Sequence, residues 1–596
     1  MDTVISQRVK SIRNWLTANN YDALIIPHED EFLGEYVPEH NERLMWATGF
    51  TGSAGVAVIS KTSAAVFVDG RYTVQVRNQV PDDIFSYHHL TEEPFWQWLN
   101  SQKNSIKKVA YDPRMHAASW LKNVKHELVE SIELAELTVN PIDECWLDRP
   151  VPKLSQMRLL DETITGESSS QKRRTVAGLL QGKGADAAIL TRLDTICWLL
   201  NVRGLDVSRL PVLLSHAIIY SDSSVDFFIE EDRVSTNFSS HVGRGVNIVN
   251  PTLLTTRLQE LRGKTVLFDS TSTNAWFKLR LESASAIVIE EPDPCLLLKA
   301  VKNNSEIEGM KSSHVVDGVA MVKFLHWLDT EVEQNRLHNE ATISDKLQYF
   351  RETHPSLVDL SFDTISASGP NAAMCHYNHN DQDIPGNLSL NTLYLVDSGG
   401  QYPNGTTDIT RTIAIGTPTD EMKKLFTLVL KGHIGIATAT FPSGTTGSQI
   451  DVLARQHLWA NGYDFDHGTG HGVGHFLSVH EGPQSISKKP NLVALRPGMV
   501  VSNEPGYYRA DSFGIRIENL ELIVPKETGG DFAGLGFEPL TLCPIDLRCI
   551  IPDMLTKPEL RWLNIYHKKV RANLSPLLQE HERNWLVSAT SELIHS

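Results

Sequence analysis

Apolar residues at the start of the chain recur every three or four positions, which is the spacing of one helix face. The members of this face are Ile5, Val9, Ile12 and Leu16. Three short apolar runs follow, at residues 21–27, 49–60 and 64–72, with glycine-rich turns between them. Short apolar runs bounded by turn residues are typical of buried strands. A helix followed by such strands predicts an α/β domain.

The same succession of apolar runs returns in the second quarter of the chain. The corresponding runs are 21–27 with 184–191, 44–50 with 196–204, 55–60 with 216–221, and 64–72 with 225–234. Self-similarity on this scale predicts two related α/β domains in tandem. A stretch rich in proline and polar residues, 148–156, would link them. We therefore expect the first domain at residues 1–150 and the second at residues 151–303.

The last part of the chain mixes long helical patterns with strand-like runs. Helical periodicity marks residues 305–332, 340–352, 421–439 and 449–462, and strand-like runs lie at 364–369, 392–399, 410–416, 499–506 and 514–524. Thr556 and Glu559 form a capping-box sequence ahead of an amphipathic helix. We expect a third domain at residues 304–596, so that the chain as a whole is an α/β (α+β) protein.

Charge and composition narrow the class of protein. Acidic residues outnumber basic ones by 72 to 55, and the net charge of −17 argues against nucleic acid or an anionic membrane as a partner. No apolar run approaches the ~20 residues that span a bilayer, and the N-terminal stretch lacks a signal-peptide core. The six cysteines are too scattered for a zinc site or a disulfide scaffold. We expect a cytoplasmic protein with free thiols.

Two aspartates in the last domain are candidates for a shared site. Asp397 and Asp408 lie in strand-like stretches joined by residues 403–405, a Pro-Asn-Gly turn sequence. If the two stretches form a hairpin, their carboxylates are nearly opposite, ~5 Å apart at Cβ, and can reach one metal site. In the alternative interpretation, Asp397 caps a turn and Asp408 is a solvated charge at a strand end.

Two glutamates follow later in the same domain. Strand alternation places Arg516, Glu518 and Leu520 on one face, and a carboxylate that faces the interior must be paired or bind metal. The alternative is a surface ion pair between Arg516 and Glu518. Glu504 stands at the end of an apolar run, before Pro505, where enzymes often place functional groups. Its alternative interpretation is a polar strand terminus.

Histidines cluster between these carboxylates. His467, His471, His475 and His480 fall within fourteen glycine-rich residues, and His376 lies upstream. Such a cluster beside four candidate carboxylates favours chemistry over structure, although spacing alone does not select the metal ligand. Four carboxylates and one imidazole suit a pair of hard or borderline divalent cations better than a single zinc.

These motifs together resemble one family. The segments around Asp397 to Arg411, around His467 to Pro483, at 502–508 and at 514–522 resemble the signature segments of Xaa-Pro aminopeptidase (aminopeptidase P), of peptidase family M24. The likeness is to the long three-domain cytosolic type and covers nearly the whole chain. It implies two tandem creatinase-like α/β domains followed by a catalytic domain of the pita-bread fold. It also implies a homodimer and two divalent metal ions, with Mn²⁺ expected and Zn²⁺ or Co²⁺ as alternatives.

The resemblance also implies roles for individual residues. The metal ligands would be Asp397, Asp408, His471, Glu504 and Glu518, with Asp408 and Glu518 bridging both ions. The catalytic residues would be Glu504, His376, His480, His467 and Arg516. The substrate-binding residues would be Arg71, His376, His467, His480 and Tyr508.

The implied activity is hydrolysis of the bond between an N-terminal residue and a penultimate proline, by a hydroxide that bridges the two metals. One alternative is a prolidase that cleaves only Xaa-Pro dipeptides, although the extra tandem domain favours the aminopeptidase. Methionine aminopeptidase shares the metal pattern but normally lacks two such N-terminal domains. A further alternative is a non-catalytic peptide-binding protein on the same scaffold, and the five filled ligand positions argue against it.

Overall fold

The computed structural model describes residues 2–382 and 384–595 and divides into two compact units. The first unit comprises Met1–Leu159, Glu167–Ser208 and Val212–Cys295. The second unit comprises Leu160–Gly166, Arg209–Pro211 and Leu296–Ser596.

The first unit contains two six-stranded sheets with the same topology. The first sheet is formed by Ala23–Pro27, Gly55–Ser60, Ala64–Val68, Ser86–His89, Lys108–Tyr111 and Glu133–Glu136; the second is formed by Ala187–Leu190, His216–Tyr220, Val225–Phe228, Val246–Val249, Thr265–Phe268 and Ile287–Glu290. Counted along the chain, both sheets have the order fourth, third, second, first, fifth, sixth. The antiparallel and parallel pairings also agree strand by strand. The predicted tandem repeat is therefore confirmed.

Helices cover the sheets of the first unit. Its α-helices are Asp2–Ala18, Arg43–Thr48, Gln75–Gln79, Phe95–Ser101, Ala118–Glu127, Pro141–Cys145, Ser169–Gly182, Leu193–Leu200, Phe238–Val242, Leu254–Gln259 and Ala275–Ser283. The apolar face predicted for the first helix is buried, since Ile5, Val9, Ile12 and Leu16 are at most 5% exposed. This face packs into a core with strand residues such as Leu24 and Val66. A short two-stranded ladder joins Arg158–Leu159 to Val202–Arg203.

The second unit is built on antiparallel sheets flanked by long helices. Its α-helices are Glu162–Thr165, Leu296–Ala300, Asn304–Glu333, Glu340–Glu352, Asp420–Ala437, Gly447–Ile450, Val452–Trp459, Lys557–Leu574 and Glu580–Ala589. The largest sheet has the spatial order Phe441–Pro442, Gly534–Pro539, Asn519–Lys526, Val500–Asn503, Gly470–Gly472 and Glu481–Ile486. The smaller sheets are Ile365–Ser368 with Thr392–Ser398 and Ile409–Ile415; Asp359–Leu360 with Gly400–Tyr402 and Gly405–Thr406; and Gly506–Arg509 with Phe513–Arg516.

One core joins the helices of the second unit to its largest sheet. Helix Asp420–Ala437 contributes Leu425 and Val429, and the sheet contributes Val501 and Ile523. The predicted capping box is present, because the Thr556 side chain accepts from the Glu559 backbone and the Glu559 side chain accepts from the Thr556 backbone. The helix that follows buries the predicted face. Its buried members include Leu560, Leu563, Tyr566 and Val570.

The strands that carry the two aspartates differ from the predicted hairpin. They pair in antiparallel fashion, but Asp397 lies opposite Thr410 rather than Asp408. The turn closes a separate short hairpin at residues 400–406, which belongs to another sheet. Gly399 allows the chain to leave the first sheet, because a Cβ there would lie 1.9 Å from a backbone oxygen of the returning chain. Asp408 therefore lies just before its strand, where the chain returns to the sheet.

Two expectations from composition can be compared with the structure. All six cysteines are free thiols, and four of them are buried. Within the described ranges, no helix has both the length and the apolar character needed to cross a bilayer. The first finding agrees with the absence of a disulfide scaffold predicted from the cysteine spacing.

Candidate metal centre

The predicted metal ligands come from separate strands of the second unit. Asp397 lies within Thr392–Ser398, and His471 lies within Gly470–Gly472. Asp408, Glu504 and Glu518 each stand next to the end of a strand rather than within one. Asp408, His471 and Glu518 offer ligand atoms that all lie within 4.8 Å of one another. Strands that are far apart in sequence therefore bring an imidazole and two carboxylates to one point.

A buried serine connects His471 to Glu504. The Ser502 hydroxyl accepts a hydrogen bond from the His471 backbone N–H at 2.9 Å and donates to Glu504 Oε1 at 3.1 Å. Gly470 permits this close pairing, because a Cβ there would lie 1.9 Å from the Ser502 carbonyl oxygen. Glu504 in turn places Oε1 3.5 Å from His471 Nε2. Ser502 thus fixes the position of Glu504 relative to the histidine.

Thr410 has a similar function for Glu518. The Glu518 N–H donates to the Thr410 carbonyl at 3.1 Å, and the Thr410 hydroxyl donates to Glu518 Oε2 at 2.8 Å. Neither Thr410 nor Ser502 is among the residues predicted from the sequence. For Thr410 a signal existed, because Asp408, Thr410 and Thr412 alternate with larger residues and so share one face of a strand.

The His471 ring has a defined orientation. Its Nδ1 lies 2.9 Å from the Gly472 carbonyl, so Nδ1 carries the proton and donates to that oxygen. In the neutral ring the lone pair is then on Nε2, which lies 3.4 Å from Asp408 Oδ2. Burial and the neighbouring His480 act to lower the pKa of His471, but Asp408 and Glu504 outweigh them and raise it. The lone pair of Nε2 is therefore directed at the carboxylates, as a metal ligand requires.

Arg516 pairs with Asp397 and does not form the alternative surface pair with Glu518. Arg516 is 3% exposed, and its Nη2 donates to Asp397 Oδ2 at 2.6 Å. Its Nε donates to the Thr410 hydroxyl at 3.1 Å. The other oxygen of Asp397, Oδ1, is buried and has no hydrogen-bond partner among the described residues. This oxygen remains available to a cation.

A chain of hydrogen bonds extends from Arg516 to His467. Arg516 Nη1 donates to the Tyr508 hydroxyl at 2.7 Å, and that hydroxyl lies 2.8 Å from His467 Nε2. His467 Nδ1 lies 2.7 Å from the Gly468 carbonyl, so Nδ1 carries the proton and Nε2 accepts from Tyr508. Burial, with a contribution from Arg516, lowers the pKa of His467 to about 3. The imidazole is therefore neutral at physiological pH.

The remaining histidines divide into two groups. His480 lies at the centre, with its ring 4.4 Å from the His471 ring in an edge-to-face arrangement. His376 is half-buried and close enough to His467 to lower its pKa. His475 is buried against helix Asn304–Glu333, where a Cβ on Gly309 would lie 3.1 Å from its Nε2. The structure thus separates His475 from the histidines that have candidate roles.

The centre concentrates negative charge in a buried position. Burial raises the pKa of Asp397 to about 6, although Arg516 opposes this shift. Burial also raises the pKa of Glu518, and Asp408, Asp397 and Glu504 raise it further by repulsion. Buried carboxylates that repel one another are stabilised when cations bind between them. The donor set, together with the unpaired oxygen of Asp397, therefore fits divalent cations.

Arg71 belongs to the first unit, where it lies in the short 3₁₀ helix Gly70–Tyr72. Its guanidinium pairs with Asp69 at 2.7 Å and lies over the Tyr72 ring at 5.1 Å. The Asp69 side chain also accepts from the Arg71 backbone N–H, which fixes the turn. The contact between Arg71 and a peptide, predicted from the resemblance, stays a prediction.

Comparison with protein-family models accounts for nearly the whole chain. Residues 308–525 match metallopeptidase family M24, and residues 534–593 match the C-terminal region of peptidase M24. Residues 8–145 and 148–306 each match a creatinase/prolidase N-terminal domain. These matches confirm the expected fold class of two related α/β domains followed by a metallopeptidase domain.

Several known proteins are similar over the full length. The chain is 38% identical to a protein of Talaromyces marneffei described as "Probable Xaa-Pro aminopeptidase P", over 100% of this chain and 93% of that protein. It is 35% identical to Xaa-Pro aminopeptidase 1 of Dictyostelium discoideum, over 98% and 96%. The crystal structure of an X-prolyl aminopeptidase from Caenorhabditis elegans, described as a cytosolic enzyme with a di-nuclear active site, has a TM-score of 0.93 at 30% identity, over 99% of this chain and 100% of that one.

A shorter protein shares the fold over part of the chain. It is an Xaa-Pro dipeptidase of Bacillus anthracis, with a TM-score of 0.51 at 23% identity, over 64% of this chain and 99% of that one.

Proposed function

This chain belongs to metallopeptidase family M24 and is an Xaa-Pro aminopeptidase, and from that premise we propose how its own residues perform the hydrolysis. The observation that carries the proposal is the convergence of Asp408, His471 and Glu518 from separate strands. Asp397 and Glu504 complete the set through their contacts with Arg516 and with His471.

The residues that would hold the two ions are Asp397, Asp408, His471, Glu504 and Glu518. When bound, two divalent cations would polarise the scissile carbonyl and make the nucleophilic water more acidic. We propose Mn²⁺ as the metal, with Zn²⁺ or Co²⁺ as alternatives, because oxygen ligands outnumber the single nitrogen ligand. Thr410 and Ser502 would hold two of the carboxylates in position.

Glu504 is the proposed general base. It would accept a proton from the water as the water attacks the carbonyl carbon, and would return the proton to the proline nitrogen as the C–N bond breaks. Burial raises the pKa of Glu504, whereas His471 and Arg516 oppose that shift. Its hydrogen bond from Ser502 leaves the second carboxylate oxygen for the water.

The histidines and Tyr508 are the proposed substrate-binding groups. His376 and His480 would stabilise the negative charge that develops on the carbonyl oxygen. The neutral His467, held by Tyr508, would line the pocket for proline. The free amine of the substrate would bind near Asp397, which restricts cleavage to the first peptide bond. Proline has a fixed φ and no N–H, so a shaped pocket can select it.

Turnover of matched peptides tests this function. With Mn²⁺ present, we expect Arg-Pro-Pro to release arginine and Arg-Ala-Pro to react much more slowly. Cleavage of Xaa-Pro dipeptides, with no turnover of the tripeptide, would instead indicate a prolidase. Binding of Arg-Pro-Pro without any cleavage in the metal-loaded protein would indicate a peptide-binding protein and would overturn the proposal.

We propose domain bounds at 1–150, 151–303 and 304–596, and a role for Arg71 in contacting the peptide. The family matches support the two internal boundaries, because one match ends at 145 and the next begins at 148, and that match ends at 306 before the M24 match begins at 308. We also propose a homodimer in the cytoplasm, and the description of the Caenorhabditis elegans relative as cytosolic supports the location.

A further inference from the structure

The segment that carries His376 has little regular structure of its own. It leaves strand Ile365–Ser368 and passes through two short 3₁₀ helices, Gly369–Ala373 and His379–Asp381. Among its described residues there is no α-helix or longer strand. A segment of this kind needs contacts from outside itself to hold a side chain in one place.

A single buried carboxylate supplies those contacts. Glu340 is 0% exposed, and its two oxygens accept from four residues of the segment. The donors are the backbone N–H of Ser368 at 2.7 Å and of Gly386 at 2.8 Å, the Asn371 amide at 2.9 and 3.1 Å, and the Tyr377 hydroxyl at 2.6 Å. Ser368 and Gly386 are the two ends of the segment, and Tyr377 is the residue after His376.

The backbone of Glu340 contacts the same segment and the strand that precedes it. Its N–H donates to the Gly386 carbonyl at 2.8 Å, and its carbonyl accepts from the Ser366 hydroxyl at 2.7 Å. Among the described residues, no lysine or arginine forms an ion pair with this carboxylate. Hydrogen-bond donors of the segment therefore satisfy this buried carboxylate without a cation, and they bring both ends of the segment to one side chain.

Other residues of the segment interact with groups of the candidate metal centre. Cys375, which precedes His376, interacts with Tyr508 and with Arg516. His376 itself interacts with His467. Gly514, on the strand that carries Arg516, allows the segment to approach, because a Cβ there would lie 1.8 Å from the Ala372 carbonyl oxygen. The segment thus lies between the Glu340 carboxylate and the substrate groups.

We propose that Glu340 is a positioning residue. It holds His376 in the substrate site because it binds both ends of the segment 368–386. The inference rests on the proposed function, because it gives His376 a role in hydrolysis. A glutamine is nearly isosteric with glutamate but cannot replace it here. Each carboxylate oxygen accepts from a backbone N–H, so either orientation of a glutamine amide would direct its NH₂ group at a donor.

The test is a double-mutant cycle between Glu340→Gln and His376→Ala, with kcat and KM measured on Arg-Pro-Pro. We expect Glu340→Gln to lower kcat by about 10- to 100-fold, since a small misplacement of a catalytic group has effects of this size. In the His376→Ala background the same change should lower kcat less than about twofold, because its effect passes through the histidine. The matched control is Glu352→Gln, at the exposed end of the same helix, which should leave kcat unchanged.

Hydrogen exchange provides a readout that does not depend on activity. Peptides that cover residues 366–388 should exchange faster in Glu340→Gln than in Glu352→Gln, because the Ser368 and Gly386 amides lose their acceptor. If Glu340→Gln does not fold, Tyr377→Phe replaces it in the cycle, because it removes one donor only. Exchange in this segment identical to wild type would overturn the positioning role.

The outcomes distinguish the role proposed for His376 from the role proposed for Glu340. If His376→Ala retains full kcat, the role proposed for His376 is wrong, and the positioning claim fails with it. If His376→Ala loses activity but Glu340→Gln does not, only the claim about Glu340 is wrong. If the two losses multiply in the double variant, Glu340 acts independently of His376, and the inference is again overturned.

Discussion

Two buried glutamates three positions apart, Glu518 and Glu521, have opposite surroundings. Both are at most 2% exposed, and burial raises the pKa of both. Strand alternation directs them to opposite faces. Glu518 faces Asp408, Asp397 and Glu504, and it accepts a hydrogen bond from Thr410. Neither carboxylate oxygen of Glu521 has a partner with hydrogen-bond geometry among the described residues, although the Asn503 side chain is close enough to lower its pKa.

The contrast shows what identifies a metal centre in this protein. A raised pKa is common to both glutamates and therefore does not distinguish them. What distinguishes Glu518 is the convergence of other carboxylates and of the His471 lone pair on the same point. The charged side chains that act on the pKa of Glu521 are those of Lys569, which lowers it, and of Glu538, which raises it. We therefore expect Glu518 to be an ionised ligand and Glu521 to be a neutral acid.

Removal of divalent metal should have the largest effect. Chelation should reduce turnover of Arg-Pro-Pro to the background rate, because the carboxylates around Glu518 cannot polarise the substrate without cations. Addition of Mn²⁺ should restore the activity. The measurement is the rate of arginine release before chelation, after it and after readdition. Full activity in exhaustively demetallated protein would contradict this expectation.

The metal content of two variants tests whether metal binding depends on Glu518 in particular. Glu518→Gln should bind fewer Mn²⁺ ions per chain than wild type, because it removes a negative charge from the ligand set. Glu521→Gln is the matched control and should bind the wild-type number. Equal metal loss in both variants would show that buried charge in general, rather than the converging ligand set, determines metal binding.

Glu504→Gln should have the next largest effect, with kcat lowered by about 10²- to 10⁴-fold, the range for loss of a general base. The fold should be retained, because glutamine can still accept the hydrogen bond from Ser502. The measurement is kcat for Arg-Pro-Pro together with the thermal unfolding midpoint. Normal turnover in this variant would refute the role of Glu504 as the base.

Thr410→Val tests the support of Glu518 and should have an intermediate effect. Valine keeps the shape of threonine but removes the hydroxyl that donates to Glu518 and accepts from Arg516. Loss of such a supporting group typically lowers activity or metal affinity by about 10- to 100-fold. We expect this loss in a titration of activity against Mn²⁺. Thr438→Val, at an exposed helix end, is the control, and an equal loss there would count against the interpretation.

Thr410 and Glu340, which were not predicted, show which parts of the molecule the sequence can predict and which it cannot. Short motifs predict Asp408 and Glu518 as ligands, because the segments that carry them resemble signature segments of the family. Motifs also predict the repeated α/β sheets, since the apolar runs recur in the same order. Glu340 could not be found in this way. It begins an ordinary helix and receives its significance only from residues 368–386, which fold back onto it.

The short hairpin at 400–406 differs from the predicted hairpin for the same reason, because contacts distant in sequence decide it. The turn sequence correctly indicated a reversal of the chain, but pairing between distant strands decided which sheet the reversal belongs to. Turn chemistry is local, whereas Asp397 is opposite Thr410 because of register along a longer ladder. Local patterns therefore predict elements, and tertiary packing decides their partners.

Glu521→Gln should have the smallest effect on activity, within about twofold, and a clear effect on stability. Burial raises the pKa of Glu521 to about 8 in the folded protein, against 4.5 for an ordinary glutamate. Below both values the folded and unfolded states are protonated alike. As the pH rises between them, the unfolded chain ionises while the folded acid keeps its proton, so the free energy of unfolding of the wild type falls.

Glutamine has no proton to lose at this pH, so the variant should gain stability relative to wild type as the pH rises from 5.5 to 8. The measurement is the thermal unfolding midpoint of both proteins at these two pH values, in the demetallated form so that metal binding does not change with pH. The control is Glu527→Gln, at an exposed position just beyond the end of the same strand. The difference in unfolding midpoint between this variant and wild type should be the same at both pH values. A constant difference between Glu521→Gln and wild type across this range would mean that Glu521 is ionised in the folded protein. In that case the contrast between Glu518 and Glu521 would lie in their ligands alone and not in their charge.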